Sequence, residues 1–333
     1  MLLTFVHWHP ASGTRPANDP VMTEARVIGI DVGGTKIAAG IVRFPSGERG
    51  PARVVPTKAE RAGQAVLDDV LRLARELATP SQKSGGNVSA IGLGICELVN
   101  RTGQLASANC IDWLRLPVCE TLLAIAPTVL EADVRAAATA EYCLGAGRPF
   151  RDFLYVTVGT GISSCLVLNG EPYLGARGLT GTMASTPLGV ACERCDHTSR
   201  RTLEEIASGP ALVARFKSVG GKAESGQEVL RAAHSGDALA RRVVESAGEA
   251  VGSQVGLLVS ALDPEAVVVG GGLGLSEGAY WDHFVASTRR HIYSDLQREL
   301  PILRAETGAD AGWLGAAVRA ARNLKLINAE NSI

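Results

Sequence analysis

No apolar run in the chain approaches the roughly 18–20 residues of a membrane span. The stretch from Met1 to Thr23 has neither the basic start nor the apolar centre of a signal peptide. Secretion and membrane insertion are therefore not expected, and the cytoplasm is the expected setting. Net charge is nearly missing too: 33 basic residues face 34 acidic ones, a formal charge of −1. Binding to phosphate backbones normally leaves a basic excess, so an obligate nucleic-acid partner is not expected. Cysteines are few and odd in number, seven in all. Cys96, Cys110, Cys119, Cys143 and Cys165 stand in apolar or mixed surroundings, which suits small buried hydrophobes in a reducing compartment. Cys192 and Cys195 stand apart from these.

What the chain does have is length and glycine. Its 333 residues suffice for one large domain or two ordinary ones. Hydrophobic residues at 46% and charged residues at 20% give a globular balance. The 38 glycines exceed the background of about 7% and fall in short runs, so they mark tight turns.

Residues 1–25 hold prolines and little periodicity and read as a flexible leader. Regular patterning starts with Val27 to Asp31, a short apolar strand, and continues with a strand over Ile37 to Val42. Apolar spacing over 59–78 predicts an amphipathic helix, and Gln82 to Asn87 a loop. Strands follow at Ala90 to Ile95 and Val129 to Glu131, then a helix from Ala136 to Leu144 stopped by Gly145. A second half begins near Arg148 with a buried strand over Phe153 to Val158. Leu166 to Leu168, Asn169-Gly170 and Pro172-Tyr173 read as a hairpin. Beyond Thr202 the pattern is helical, interrupted by a strand over Ala266 to Val269, with a last helix over Ala311 to Ala321. Strands alternating with helices, twice over, predict an α/β protein of two similar lobes, 26–145 and 146–333.

Four glycine-rich turns carry the chemistry. Asp31-Val32-Gly33-Gly34-Thr35-Lys36 follows a strand; its glycines let backbone N–H groups approach a phosphate, and Asp31 can orient a magnesium ion through water. A plain hairpin turn with an Asp cap is the alternative. Gly159-Thr160-Gly161 is equally suited to phosphate. Gly270-Gly271-Gly272 suits flat contact with an adenine or ribose, or is a strand-to-helix turn. Gly308 to Ala317 reads as a closely packed helix start.

The ordered set resembles the ROK family of sugar kinases. Members open with a D-x-G-G-T phosphate loop, as at Asp31 to Thr35, and carry G-T-G at the second lobe, as at Gly159 to Gly161. They close with G-G-G and an A-G-x-x-G-A-A helix, as at Gly270 to Gly272 and Ala311 to Ala317. The match runs from about Val27 to Arg322. It implies the two-lobed actin-like ATPase (ribonuclease H-like) fold, with the last helix packing back towards the first lobe. It also implies ATP and Mg2+ as cofactors, a small-molecule acceptor and a homodimer. The family's catalytic base lies in an N-D-A-N-A-A-A run, matched by Glu131 to Ala138, so the resemblance assigns the base to Asp133. Such a carboxylate takes the acceptor's proton as phosphoryl transfer proceeds. A helix N-terminus favours its ionised form; a simple N-cap is the alternative.

The departures from the family are informative. Ala132 stands where the family has Asn. The sugar-gripping E-x-G-H motif aligns with Thr182-Met183-Ala184-Ser185, so both the acid and the imidazole are missing. Leu203-Glu204 keeps a family pair, and Asn109 to Trp113 matches its N-x-x-x-W element, which makes Glu204 and Asn109 substrate-binding candidates. Cys96-Glu97 replaces a P-G turn, and Glu97 is a further candidate for the pocket; a solvated turn residue is its alternative. The family's structural zinc takes four ligands. Cys192, Cys195 and His197 supply at most three, and a family cysteine is replaced by Thr202, so zinc is the less favoured expectation. Only 30 residues precede Asp31, too few for the winged helix of the family's repressor branch. The leading expectation is an ATP-dependent kinase of a primary hydroxyl. A C7-cyclitol of the valiolone type is favoured, because the aldose-gripping residues are gone and kinases of such cyclitols in aminocyclitol pathways are similar to this family. A conventional glucokinase or N-acylmannosamine kinase, or a non-catalytic sugar sensor, are the alternatives.

Overall fold

The structure, a computed structural model, describes residues 24–79, 87–191 and 198–327. The expected leader lies outside the described residues as far as position 23, and Ala25 already begins a strand. The loop expected over 82–87 lies outside them except for Asn87, as do Cys192, Cys195 and His197 with their zinc question.

Two five-stranded sheets share one plan. In the first, β1 (Ala25–Val32) pairs antiparallel with β2 (Lys36–Phe44), and β2 with β3 (Arg53–Pro56). After α1 (Gly63–Ala78), β4 (Val88–Ile95) lies parallel to β1; after α2 (Val118–Leu123), β5 (Thr128–Ala132) lies parallel to β4. From there α3 (Asp133–Leu144) leads to the second sheet, where β6 (Phe153–Val158), β7 (Ile162–Leu168) and β8 (Glu171–Pro172) form an antiparallel meander. A separate ribbon of β9 (Pro187–Ala191) and β10 (Thr198–Thr202) follows. The chain then turns helical through α4 (Leu203–Ala207), α5 (Gly209–Ser218), α6 (Gly226–His234) and α7 (Ala238–Leu262). Next β11 (Ala266–Gly270) joins β6 in parallel, α8 (Ala279–His291) and α9 (Asp295–Arg298) intervene, and β12 (Ile302–Arg304) lies parallel to β11. Last comes α10 (Ala311–Asn323). The orders β3-β2-β1-β4-β5 and β8-β7-β6-β11-β12 are one topology used twice, which is the echo visible in the sequence.

Strands β3, β9, β10 and β12 are absent from the sequence reading, and among the elements it did contain three boundaries matter most. The first helix starts at Gly63 rather than near 59, because Ala62 is still extended and a Cβ at Gly63 would strike the Asp112 carbonyl at 2.0 Å. Helix α3 starts at Asp133, three residues before Ala136, so Asp133 is its first residue. The hairpin is longer, with β7 starting at Ile162; its turn is Asn169-Gly170 with φ of 52° and 77°, the paired positive φ of a type I′ turn.

The last helix returns to the first sheet and lies directly on its backbone. A Cβ at Gly29 of β1 or Gly92 of β4 would sit 1.9 Å from the carbonyls of Trp313 and Ala316, and one at Gly315 would sit 1.6 Å from the Ala136 carbonyl of α3. Glycine inside these strands is therefore a packing requirement, since a side chain would lift the helix away. The buried core of α3, α10 and the facing sides of both sheets is continuous, from Val27 and Ala90 to Tyr155 and Val268. No helix of the described residues is long and apolar enough to cross a membrane. The expectation that the cysteines are buried holds for Cys143 and Cys165. Cys96 and Cys119 are half-buried, and Cys110 is exposed on the loop that precedes α2.

Candidate active site

Three parallel strands, β1, β4 and β5, end side by side. Their register pairs Asp31 with Gly94 and Gly94 with Glu131. In open α/β sheets the carboxyl ends of such strands are where ligands bind. Here they deliver Asp31, Cys96-Glu97 and, one residue past β5, Asp133.

Asp133 keeps one oxygen on its own helix: Oδ1 accepts the Val134 N–H at 2.6 Å. The helix start was expected to hold this carboxyl ionised. Burial outweighs it and pushes the pKa up to about 6; the Val134 N–H lowers it, the Glu97 charge raises it and Arg135 lowers it. Asp31 is pushed up further, to about 7, by burial first and by the charge of Asp133 second, with Lys36 opposing. Its Oδ1 is shut off from solvent and has no hydrogen-bond partner among the described residues. A buried, unpartnered carboxylate oxygen is a poor resting arrangement in isolation. It fits a hard cation that takes oxygen ligands, so the residues present suit magnesium at Asp31.

The Gly33-Gly34-Thr35 turn is held from below. Gly33 N–H donates to Lys36, and the buried Thr57 gives its hydroxyl to the Gly33 carbonyl at 2.6 Å and its N–H to the Thr35 carbonyl at 3.0 Å. Nothing in the sequence around Thr57 signals this clamp. Thr35 and Lys36 are exposed at the rim.

The second and third glycine turns meet each other. Gly159, Thr160 and Gly161 join β6 to β7, while Gly270 ends β11 and Gly271 and Gly272 follow it. Leu273 and Gly274 donate to the Val158 carbonyl, and Gly209 at the start of α5 donates to Gly159. Gly271 has φ of 82° and its Cβ would strike the Val158 carbonyl at 2.3 Å, so only glycine suits the turn. Tyr155, on β6 of the second sheet, has its hydroxyl pKa raised by burial and by the charges of Glu141, Asp133 and Asp31.

The remaining candidates separate. Glu204 lies at the second turn: its Oε2 accepts the Ile162 N–H at 2.9 Å beside Gly161. Asn109 is exposed on the loop leading to Trp113, and its own N–H donates to Glu97. Trp113 itself is core, donating Nε1 to the Gly63 carbonyl at 2.7 Å. Glu97 does not behave as a residue open to substrate. It is 4% exposed, and its two oxygens accept from the Ser107 hydroxyl and from the N–H groups of Asn109, Cys110 and Ile111. Those donors use up the carboxylate, so Glu97 shapes the 107–111 loop and adds charge next to Asp133. At the position of the family's Glu and His, Thr182 and Ser185 are exposed, and the Thr182 hydroxyl donates to the Leu179 carbonyl.

Sequence reasoning missed Arg135. It is buried on α3 and reaches the carbonyls of Val99 and Gly178 while pairing with Glu131 at 2.5 Å. It therefore ties the loop before Thr182 to the first lobe, next to Asp133. An arginine among alanines on a helix was its only signal.

Known proteins are similar to this chain over most of its length. The family model of the ROK family matches residues 27–323. A glucokinase of Streptomyces coelicolor is 31% identical over 314 residues, covering 87% of this chain and 96% of that protein. An N-acetylmannosamine kinase of Escherichia coli O1:K1 is 32% identical over 305 residues, covering 88% and 97%. The crystal structure of a ROK family glucokinase from Streptomyces griseus, in complex with glucose and AMPPNP, superposes with a TM-score of 0.76 at 27% identity, covering 90% of this chain and 100% of that one. The two matching sheets are those of the actin-like ATPase fold. With the family matched from the first strand to the last helix, the chain belongs to the ROK family and is one of its sugar kinases.

Proposed function

We propose that the chain transfers the terminal phosphoryl group of ATP to a primary hydroxyl of a sugar-like acceptor, with Asp133 as general base. The observation that carries this is the Asp133 carboxyl. One oxygen is fixed by Val134, and a pKa of about 6 places it near the working pH a general base needs. The acceptor's O–H donates to the remaining oxygen, and its proton passes to Asp133 as the new P–O bond forms. The turns at Gly33, Gly34 and Thr35, with Lys36, and at Gly159, Thr160 and Gly161 offer N–H groups to phosphate oxygens, and Gly270 to Gly272 the flat surface for the nucleoside. Asp31 is the residue that would hold magnesium, which when bound neutralises phosphate charge. Asn109 and Glu204 bind acceptor hydroxyls in this reading, the latter through Oε1. Lobes at 26–145 and 146–333, and a cytoplasmic homodimer, belong to the same reading and rest on the family resemblance.

A C7-cyclitol of the valiolone type is the favoured acceptor. Supporting it, Thr182 and Ser185 bring neither carboxylate nor imidazole to the place where the family grips an aldose, and Glu97 does not replace them, since its oxygens are already filled. The 31–32% identity to a glucokinase and an N-acetylmannosamine kinase supports a conventional aldose acceptor as the second reading. ADP release with ATP and magnesium, over a panel of glucose, N-acetylmannosamine and a C7-cyclitol, separates them. Cyclitol turnover alone is expected; fast glucose turnover would move the assignment to the conventional kinases, and ATP binding with no turnover would favour a sugar sensor.

A second expected result concerns Glu97→Gln. Removing its charge lowers the pKa of Asp133, because that charge pushes it up. The acidic limb of the kcat/KM profile should move to lower pH, while KM for the acceptor rises as the 107–111 loop loosens. A limb that stays in place would show that Glu97 does not act electrostatically on the base.

A further inference from the structure

Glu97 holds a loop, and that loop carries a thiol. Its Oε1 accepts the N–H groups of Cys110 at 2.5 Å and Ile111 at 2.9 Å. The residue before Glu97 is Cys96, one position past the end of β4, and its N–H donates at 3.1 Å to the carbonyl of Val32, the last residue of β1. Cys110 in turn lies against the Gly33-Gly34-Thr35 turn that follows Val32: a Cβ built on Gly34 would stand 2.8 Å from its Sγ. These contacts bring the two cysteines together, and their side chains are hydrogen-bonded to each other. Both are free thiols.

The two thiols differ in their surroundings. Cys110 is exposed. Cys96 is half-buried; burial first and the charge of Asp133 second push its pKa far up, so it rests as the neutral thiol. Cys110 is therefore the thiol that a dissolved oxidant meets first, and Cys96 the one placed to complete the reaction. No helix or strand fixes the backbone of Cys110, so drawing the sulfurs together to the disulfide distance of about 2 Å breaks no ladder. Phosphoryl transfer as proposed above uses neither thiol.

We propose that Cys96 and Cys110 form a reversible redox modification site, whose oxidation to a disulfide opposes nucleotide binding at the neighbouring glycine turn. The oxidant is a small disulfide of the glutathione class. The Cys110 sulfur attacks one sulfur of this oxidant, whose S–S bond breaks. The first small thiol leaves with the Cys110 proton, and Cys110 carries a mixed disulfide. The Cys96 sulfur then attacks the Cys110 sulfur, and the second small thiol leaves with the Cys96 proton. Two protein thiols and one small disulfide become one protein disulfide and two small thiols, so two electrons pass to the oxidant. The new bond draws the Cys110 sulfur towards Cys96, and the turn loses the side chain packed on Gly34. Conversely, a phosphate resting on that turn occupies the solvent beside an exposed sulfur and shields it. The opposition to nucleotide rests on the reading that the turn holds phosphate; the thiol pair does not.

Peptide mass mapping of the full chain tests the site, with oxidised glutathione as the probe. Trypsin cuts after Arg101, so Cys96 falls on the peptide 84–101 and Cys110 on the peptide 102–115. The two peptides are expected joined, two hydrogens below their summed mass, and separate again after dithiothreitol. Cys96→Ser should stop at glutathione bound to Cys110, and Cys110→Ser should leave Cys96 unmodified. An oxidised parent chain without the joined pair, or with either peptide joined to another cysteine instead, would overturn the site. A non-hydrolysable ATP analogue with magnesium should slow the joining about tenfold, and the joined chain should bind that analogue about tenfold more weakly until it is reduced. Both are measured with Cys192→Ser and Cys195→Ser in place, so that this other pair contributes nothing. Changes below twofold would overturn the opposition to nucleotide. An analogue that fails to bind even the reduced chain would overturn it together with the proposed phosphoryl transfer, while the peptide masses decide the thiol pair separately.

Discussion

Asp133→Asn is expected to lower turnover by about 10²–10⁴-fold, the usual contribution of a positioned general base, while affinity for a non-hydrolysable ATP analogue stays within about twofold, because the glycine turns do not involve this side chain. The same change should make the protein more stable at neutral pH. In the folded chain burial holds the Asp133 pKa at about 6, against 3.8 ordinarily, so the folded state keeps a proton that the unfolded chain gives up. Stability then falls as pH rises from about 4 through 6, by up to roughly 3 kcal/mol, and stays at that lower level above. Asparagine has no such loss. The gain in thermal midpoint over the parent protein should therefore be small at pH 4 and largest above pH 7. Asp31, held at about 7, extends the decline of the parent by the same sign. Parent kcat/KM should fall as pH drops below about 6, where the base becomes protonated. Turnover of the variant within tenfold of the parent, or a stability difference that does not grow with pH, would remove Asp133 from the base role.

Glu131→Gln is expected to cost about 3–5 kcal/mol, the range for removing one partner of a buried ion pair. Glu131 is 5% exposed and sits between Arg135 at 2.5 Å and Arg319 at 3.1 Å. Arg319 also pairs with Glu171, as does Arg322, so the network joins β5, α3, α10 and β8. Without the carboxylate, two largely buried guanidiniums lose their shared counter-charge. Denaturant midpoints measure the cost; a loss below about 1 kcal/mol would mean that the arginines find other partners. A functional effect should accompany it. Arg135 is what holds the Val99 and Gly178 carbonyls together, so the variant's acceptor KM should rise more than its nucleotide KM.

The catalytic elements were readable because each is local. A strand running into Gly33-Gly34-Thr35, a strand into Gly159-Thr160-Gly161 and a carboxylate at a helix start are set by a few neighbouring residues. Their order along the chain was enough to suggest the lobes. The readings that failed concern groups whose meaning depends on distant partners. Glu97 looked like a residue facing substrate, since nothing nearby in sequence shows that Ser107 and the backbone of 109–111 fold back onto it. For Asp133 the helix start does favour the charged form through the Val134 N–H, but burial between the sheets, which its own helix does not show, raises the pKa by more.

By itself, the sequence determined the central strands and the glycine turns, the duplicated α/β plan and the residue that sits at the start of α3, but not the edge strands β3 and β12 or the ribbon of β9 and β10. Periodicity, glycine conformation and helix capping act over a few residues, so they can be read without the fold. Only the tertiary structure decided that Glu131 meets Arg319 across 188 positions, that Glu141 accepts the N–H groups of both Ala146 and Thr307, and that Asp31 keeps a carboxylate oxygen buried without a partner among the described residues. Those outcomes come from burial and from charges and dipoles brought together by chain crossings, and such terms exist only once the two sheets have closed around α3 and α10.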